Sequence, residues 1–190
     1  MNEEVEYGLR GPVARKVLHD WWWRLVKEDG PGRPPRRGER AELRRCHTLP
    51  QVALDKAFND LLRDLNKRGV NLGGQGQGLA AAARVLMEAK NEAPEPNLGR
   101  LMAKARPDKN PKQGAVSGLR GRRLLAKDDL EELTQALIRA VRLCDEQAPV
   151  LSLAADIFDW ADPKRREKVR QAWAYEYYAN VPDAGDEHAA

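Results

Sequence analysis

Apolar residues recur at helical intervals along almost the whole chain. Between residues 12 and 28, Val13, Val17, Trp21 and Leu25 stand four apart, with Leu18 and Trp22 widening the stripe. Residues so spaced share one face of a helix. The pattern stops at Asp29-Gly30, and residues 29–38 (DGPGRPPRRG) carry too much proline and glycine to be anything but a loop. A short helix is predicted over 39–46. A longer one over 51–67 rests on Leu54, Phe58, Leu61, Leu62 and Leu65, with Gly69 as its C-cap. The stretch 71–78 (NLGGQGQG) reads as a flexible connection into an Ala-rich helix at 79–90, whose Ala81–Ala83 surface is narrow enough for close packing. Residues 91–96 (NEAPEP) interrupt it, and 97–105 form one more short helix.

Residues 106–114 (RPDKNPKQG) are polar and broken by proline, and mark the expected boundary between two lobes. Beyond them the spacing predicts helices at 115–126, 129–145 and 152–160. Asp128 and Glu131 have capping-box spacing before the apolar face of Leu130, Leu133, Leu137, Val141 and Cys144. The last helix opens on Asp162-Pro163, an N-cap followed by proline at the first helical position, and buries Val169, Trp173 and Tyr177. No segment reads as a strand. The expected fold is all-α: two small antiparallel helical bundles, 1–110 and 111–180, packed into one elongated protein, with 181–190 as a disordered acidic tail.

Composition alters this picture mainly through charge. The 190 residues include 33 Lys and Arg against 29 Asp and Glu, a formal charge of only +4, so partner arguments depend on where the charge lies. It is unevenly spread. Six arginines (33, 36, 37, 40, 44, 45) face Glu39 and Glu42 between Gly32 and Arg45, and nine basic residues face Asp108 alone between Arg100 and Lys127. Acids gather instead at Asp128–Glu132 and Asp183–Glu187. The two cysteines, Cys46 and Cys144, lack metal-ligand spacing and read as reduced thiols. With no long apolar run and an acidic start lacking a signal-peptide pattern, the chain is expected to be cytoplasmic, away from membrane.

The residues for chemistry are missing. Nucleophilic catalysis needs a base beside the nucleophile, yet only His19, His47 and His188 are present. Of these His47, beside Cys46, is the nearest candidate. No spacing gathers ligands for a metal. Residues 73–78 (GGQGQG) fail both phosphate-loop patterns: Leu79 stands where a dinucleotide fingerprint needs glycine, and no Gly-Lys-Ser/Thr follows. No catalytic residue, metal or cofactor is expected. What remains is basic side chains set off the apolar stripes: Arg44 and Arg45; Arg120, Arg122 and Arg123; Arg139 and Arg142; Lys164, Arg165 and Lys168. Lys164 and Arg165 stand in a first helical turn, where the helix dipole favours acids, and a bound anion would reverse that cost. Phosphate binding without base readout is the mode such a set suggests. Three rival readings are a DNA-binding regulator with a helix-turn-helix over 97–125, a structural adaptor whose basic face meets acidic protein, and, last, an enzyme dependent on His47.

Two segments go further. Arg36-Arg-Gly-Glu-Arg-Ala-Glu-Leu-Arg-Arg45 with Leu49–Phe58, and Leu151-Ser-Leu-Ala-Ala-Asp-Ile-Phe-Asp-Trp160 with Asp162-Pro163 and Val169–Tyr178, resemble the CasB family, the small subunit of the type I-E CRISPR Cascade complex. Asn97-Leu-Gly-Arg100 and the helix from Arg123 through Leu137 support the resemblance, which covers about residues 15–179. It implies an all-α, two-lobed, non-catalytic subunit present as a pair of copies. Such a subunit lies along the complex's backbone subunits and touches its large subunit. A basic groove would follow guide RNA and target DNA, both target and displaced strands. Family positions for nucleic-acid contact look like Arg44, Arg45, Arg120, Arg139, Lys164 and Arg165; Arg100, Arg122 and Arg123 join them on charge alone. The linker 102–118, the Gly-rich 73–78 and the acidic tail depart from the family and carry no assignment.

Overall fold

A computed structural model describes residues 8–106 and 110–182. Within them lie ten helices: α1 (Pro12–Val26), α2 (Arg37–Arg45), α3 (Leu49–Leu54), α4 (Lys56–Lys67), α5 (Gly76–Leu86), α6 (Leu98–Ala103), α7 (Gly118–Leu125), α8 (Leu130–Leu143), α9 (Val150–Trp160) and α10 (Pro163–Tyr178). Four short strands accompany them: β1 (Asn91–Glu92), β2 (Ala105–Arg106), β3 (Asn110–Gly114) and β4 (Gln147–Ala148). The protein is all-α in its bulk, as the periodicity predicts.

The strands correct the reading that there are none. β1 pairs in parallel with β4 and β2 pairs antiparallel with β3. These are two-residue ladders and a hairpin whose pairing satisfies backbone groups between helices, and runs that short carry no period-two pattern to read.

The core is organised on α5. Its residues Gly78 to Leu86 are all buried, the arrangement expected of a helix apolar on every side. It packs against α9, α8 and α3, while α10 packs on α6 and α9, and α1 reaches α4 and α9. Helices from both sides of residue 110 therefore share one core, and the expected lobe boundary, between residues 110 and 111, falls within β3. The expected acidic tail, from residue 183 onward, lies outside the described residues.

Close approach requires glycine at two places. A Cβ on Gly78 would sit 2.9 Å from the Ala161 methyl and 3.1 Å from the Phe158 carbonyl oxygen, so this glycine lets α5 touch α9. A Cβ on Gly99 would sit 2.2 Å from the Trp173 carbonyl oxygen. The Asn97-Leu-Gly-Arg100 segment thus sets α6 directly on the α10 backbone, with Asn97 capping α6 through the Arg100 N–H.

Capping chemistry explains where helix boundaries differ from expectation. The helix expected over 51–67 is two. Thr48 and Gln51 form a capping box that starts α3 at Leu49, and Asp55 ends it in extended conformation while its carboxylate accepts from Ala57 and Phe58 to start α4. That break turns Leu54 outward, 86% exposed, although it was expected on the buried face. At α8 the cap is Asp129, accepting from the Glu132 N–H. Asp128, expected in that role, instead accepts from Arg170 at 2.7 Å. Asp162 caps α10 as predicted.

Candidate nucleic-acid interface

α7 and α8 run side by side, and their apolar faces turn toward the core through Leu124, Leu125, Leu133, Leu137 and Val141. Five arginines, 120, 122, 123, 139 and 142, are among the residues left outside. Between the two helices lies a groove of about 880 Å³ with an apolar floor that includes Val116, Leu124, Ala140 and Leu143. Its polar lining is entirely cationic: Arg120, Arg123, Lys127, Arg139 and Arg142. Arg120, Arg123 and Arg139 are exposed and make no ion pair with a described residue. Lys127 meets Glu132 at 2.6 Å.

Arg142 ties the groove to the interior. Its Nε donates to Glu88 at 3.0 Å, and Glu88 also accepts from Arg44 at 2.8 Å and Arg84 at 2.8 Å. The Glu88 side chain is wholly buried. Burial by itself would raise its pKa, but hydrogen bonds from Arg142, Arg84 and Arg44 outweigh that and hold the carboxyl down at about 2, from an ordinary 4.5. One buried carboxylate thus answers three guanidiniums, and the cluster keeps two positive charges in excess.

A second hollow, about 530 Å³, opens between the end of α1, α2 and the Lys90-Asn91 segment at the start of β1. Its lining includes Lys27, Arg37, Arg40, Arg44 and Lys90 and no acid. Arg40 donates to the carbonyls of Met87 and Ala89 at the C-terminus of α5, satisfying orphan acceptors there. Burial and the neighbouring charge of Arg44 lower the Arg40 pKa.

A model of the family described as CRISPR-associated protein Cse2 matches residues 39–178, well over half the chain. The chain belongs to the Cse2 family. That membership makes it a subunit of a CRISPR Cascade complex, in agreement with the resemblance read from its two end segments. No match was found among curated proteins or among solved structures.

The matched region of this Cse2 chain contains every site residue expected from sequence, but not in one place. Arg120, Arg123 and Arg139 come together in the groove. Arg122, on the same helix, is exposed and outside that lining. Arg44 is half-buried and held by Glu88, and Arg45 is exposed without an ion pair to a described residue. Arg100 lies 3.4 Å from Glu176 across the α6–α10 contact. Lys164 is exposed. Arg165 is not a free first-turn cation, because it pairs with Asp159 at 3.1 Å and Asp162 at 3.6 Å. Those carboxylates, one of them the α10 cap, remove for Arg165 the local conflict with the helix dipole that the sequence suggested.

Sequence reasoning missed Arg84 and Glu88, whose i,i+4 spacing in an apolar helix was the available signal. Arg142 was noted as lying off the apolar stripe but not grouped with the site. A helix-turn-helix over 97–125 does not form: the β2–β3 hairpin separates α6 from α7, whereas that motif needs a turn of three or four residues. Among the described residues no group of three or more His, Cys, Asp or Glu side chains could hold a metal ion, and no helix is long and apolar enough to cross a membrane. Both cysteines are free thiols.

Proposed function

We propose that this Cascade subunit holds nucleic acid by its phosphates in the groove between α7 and α8, doing no chemistry and reading no sequence. One observation carries the proposal: five cationic side chains line a groove that no carboxylate lines. Phosphate contacts give affinity without base information. Replacing DNA pairing by guide–target pairing is nearly balanced in energy, so small added contacts decide it. Three contacts worth about 1 kcal/mol each would favour the opened duplex about a hundredfold. On this reading the subunit stabilises the guide RNA–target DNA R-loop and the displaced strand, alongside the backbone and large subunits and a second copy of itself, in the cytoplasm. Arg45, Arg122 and Lys164 are proposed as outlying contacts.

The test is the salt dependence of binding to a fluorescent single-stranded oligonucleotide. Arg120→Glu with Arg139→Glu is expected to weaken binding and to flatten the plot of log affinity against log salt by about 0.7 per lost contact. An unchanged slope would remove the groove from the function. Absence of binding by the unaltered protein at low salt would favour the adaptor reading instead.

A further inference from the structure

We infer that the acidic end of this chain, residues 183–190, folds back into the cationic groove between α7 and α8 and occupies it as an internal substitute for a polyanion. Its competition with nucleic acid rests on the groove reading proposed above; the docking itself does not.

The first support is where the described chain ends. The Tyr177 hydroxyl donates to the Val116 carbonyl at 2.8 Å, and Val116 lines the groove. The Tyr177 ring also lies against α7, where a Cβ on Gly121 would meet it at 3.6 Å. The Val181 N–H donates to the Tyr177 carbonyl at 2.9 Å, and Val181 packs on the core. Pro182, the last described residue, is therefore tied down just beyond a side chain that touches the groove lining.

Length is the second. Residues 183–190 read DAGDEHAA, and a stretch of that length spans at most about 26–29 Å when extended. Asp186 and Glu187 come four and five residues after Pro182, a reach of about 13–18 Å.

Charge is the third. The segment holds Asp183, Asp186 and Glu187 and neither Lys nor Arg. Arg122 is exposed and its charge bears on the Tyr177 hydroxyl, so it stands beside the point of departure. Arg120 and Arg123 follow on the same helix, and with Arg139 they line a groove that no carboxylate lines. A short tether holds the opposite charges together at about millimolar effective concentration, so weak pairs are enough to fill the groove.

Two measurements on the full-length chain test this. A carbodiimide joins a carboxylate to a lysine amine without a spacer. It is applied to Arg120→Lys, which keeps the positive charge, and the products are mapped by mass spectrometry. Docking predicts an intramolecular link from position 120 to Asp186 or Glu187, with the Lys127–Glu132 pair at 2.6 Å as positive control. Absence of that link while the control forms overturns the inference. So does a link found only between chains and rising with protein concentration, which would make the occupant a second copy's tail.

The other measurement is affinity for a single-stranded oligonucleotide of about 12 nucleotides at low salt. Asp183→Asn with Asp186→Asn and Glu187→Gln should tighten binding about fivefold, the change expected if the tail occupies the groove about four-fifths of the time. Asp20→Asn with Glu28→Gln and Glu92→Gln removes the same charge from outside the groove lining and should tighten it by less than about twofold. Equal gains from the two triple variants would reduce the effect to net charge and overturn the competition. If no version of the chain binds the oligonucleotide, the groove reading falls, and the cross-link alone decides the docking.

Discussion

Replacing Glu88 by glutamine isolates the central electrostatic feature of this molecule. The side chain keeps its shape but loses the charge that three guanidiniums share at 2.8 to 3.0 Å. The carboxyl is held at about 2 in the folded protein against 4.5 ordinarily. At 1.36 kcal/mol per pKa unit, that corresponds to roughly 3 kcal/mol favouring the folded, ionised form. Breaking a buried ion pair by removing one partner costs a similar amount, about 3–5 kcal/mol. Because the folded pKa lies below the unfolded one, the contribution is present in full above about pH 4.5 and is lost as pH falls toward 2. Urea unfolding of Glu88→Gln and the unaltered protein, followed from pH 7 downward, is the assay. The gap should be about 3 kcal/mol at neutral pH, narrow to about 1.4 kcal/mol near pH 3 and to about 0.4 kcal/mol near pH 2, where Glu88 is half protonated and begins to resemble glutamine. A gap under about 0.5 kcal/mol at pH 7, or one that does not change with pH, would show that the three arginines do not depend on this carboxylate.

Two further outcomes test the packing. Gly99→Ala should destabilise by about 3 kcal/mol or more in chemical denaturation, because its Cβ meets the Trp173 backbone and not a movable side chain; a loss below about 1 kcal/mol would mean that α6 can lift off α10 cheaply. Thr48→Ala removes half of the α3 capping box and should cost about 1 kcal/mol, read as a lowered thermal midpoint, whereas Thr48→Ser should retain most of the stability.

The sequence alone settled most of the helical content. Stripes such as Val17, Trp21 and Leu25 or Leu133, Leu137 and Val141 are repeated over enough turns that helix is the only way to put them on one face. Asp162-Pro163 was equally legible, since an N-cap followed by proline acts within one turn. Boundaries were less so. Asp55 splits a continuous apolar run and turns Leu54 to solvent, and Asp129 takes the cap expected of Asp128, because neighbouring residues competed for the same local role and the chain's path chose between them.

Apart from the i,i+4 spacing of Arg84 and Glu88, charge pairing was beyond sequence reasoning. That Arg120, Arg123 and Arg139 would line one groove was a matter of two helices lying side by side. That Arg44 would be tied to Glu88 and Arg165 to Asp159 depended on residues 44 and 6 positions away. Helical periodicity is a property of consecutive residues and is written in them. Whether a cation stays free or is answered by a carboxylate depends on which distant surfaces meet, and only the packed tertiary structure decides that.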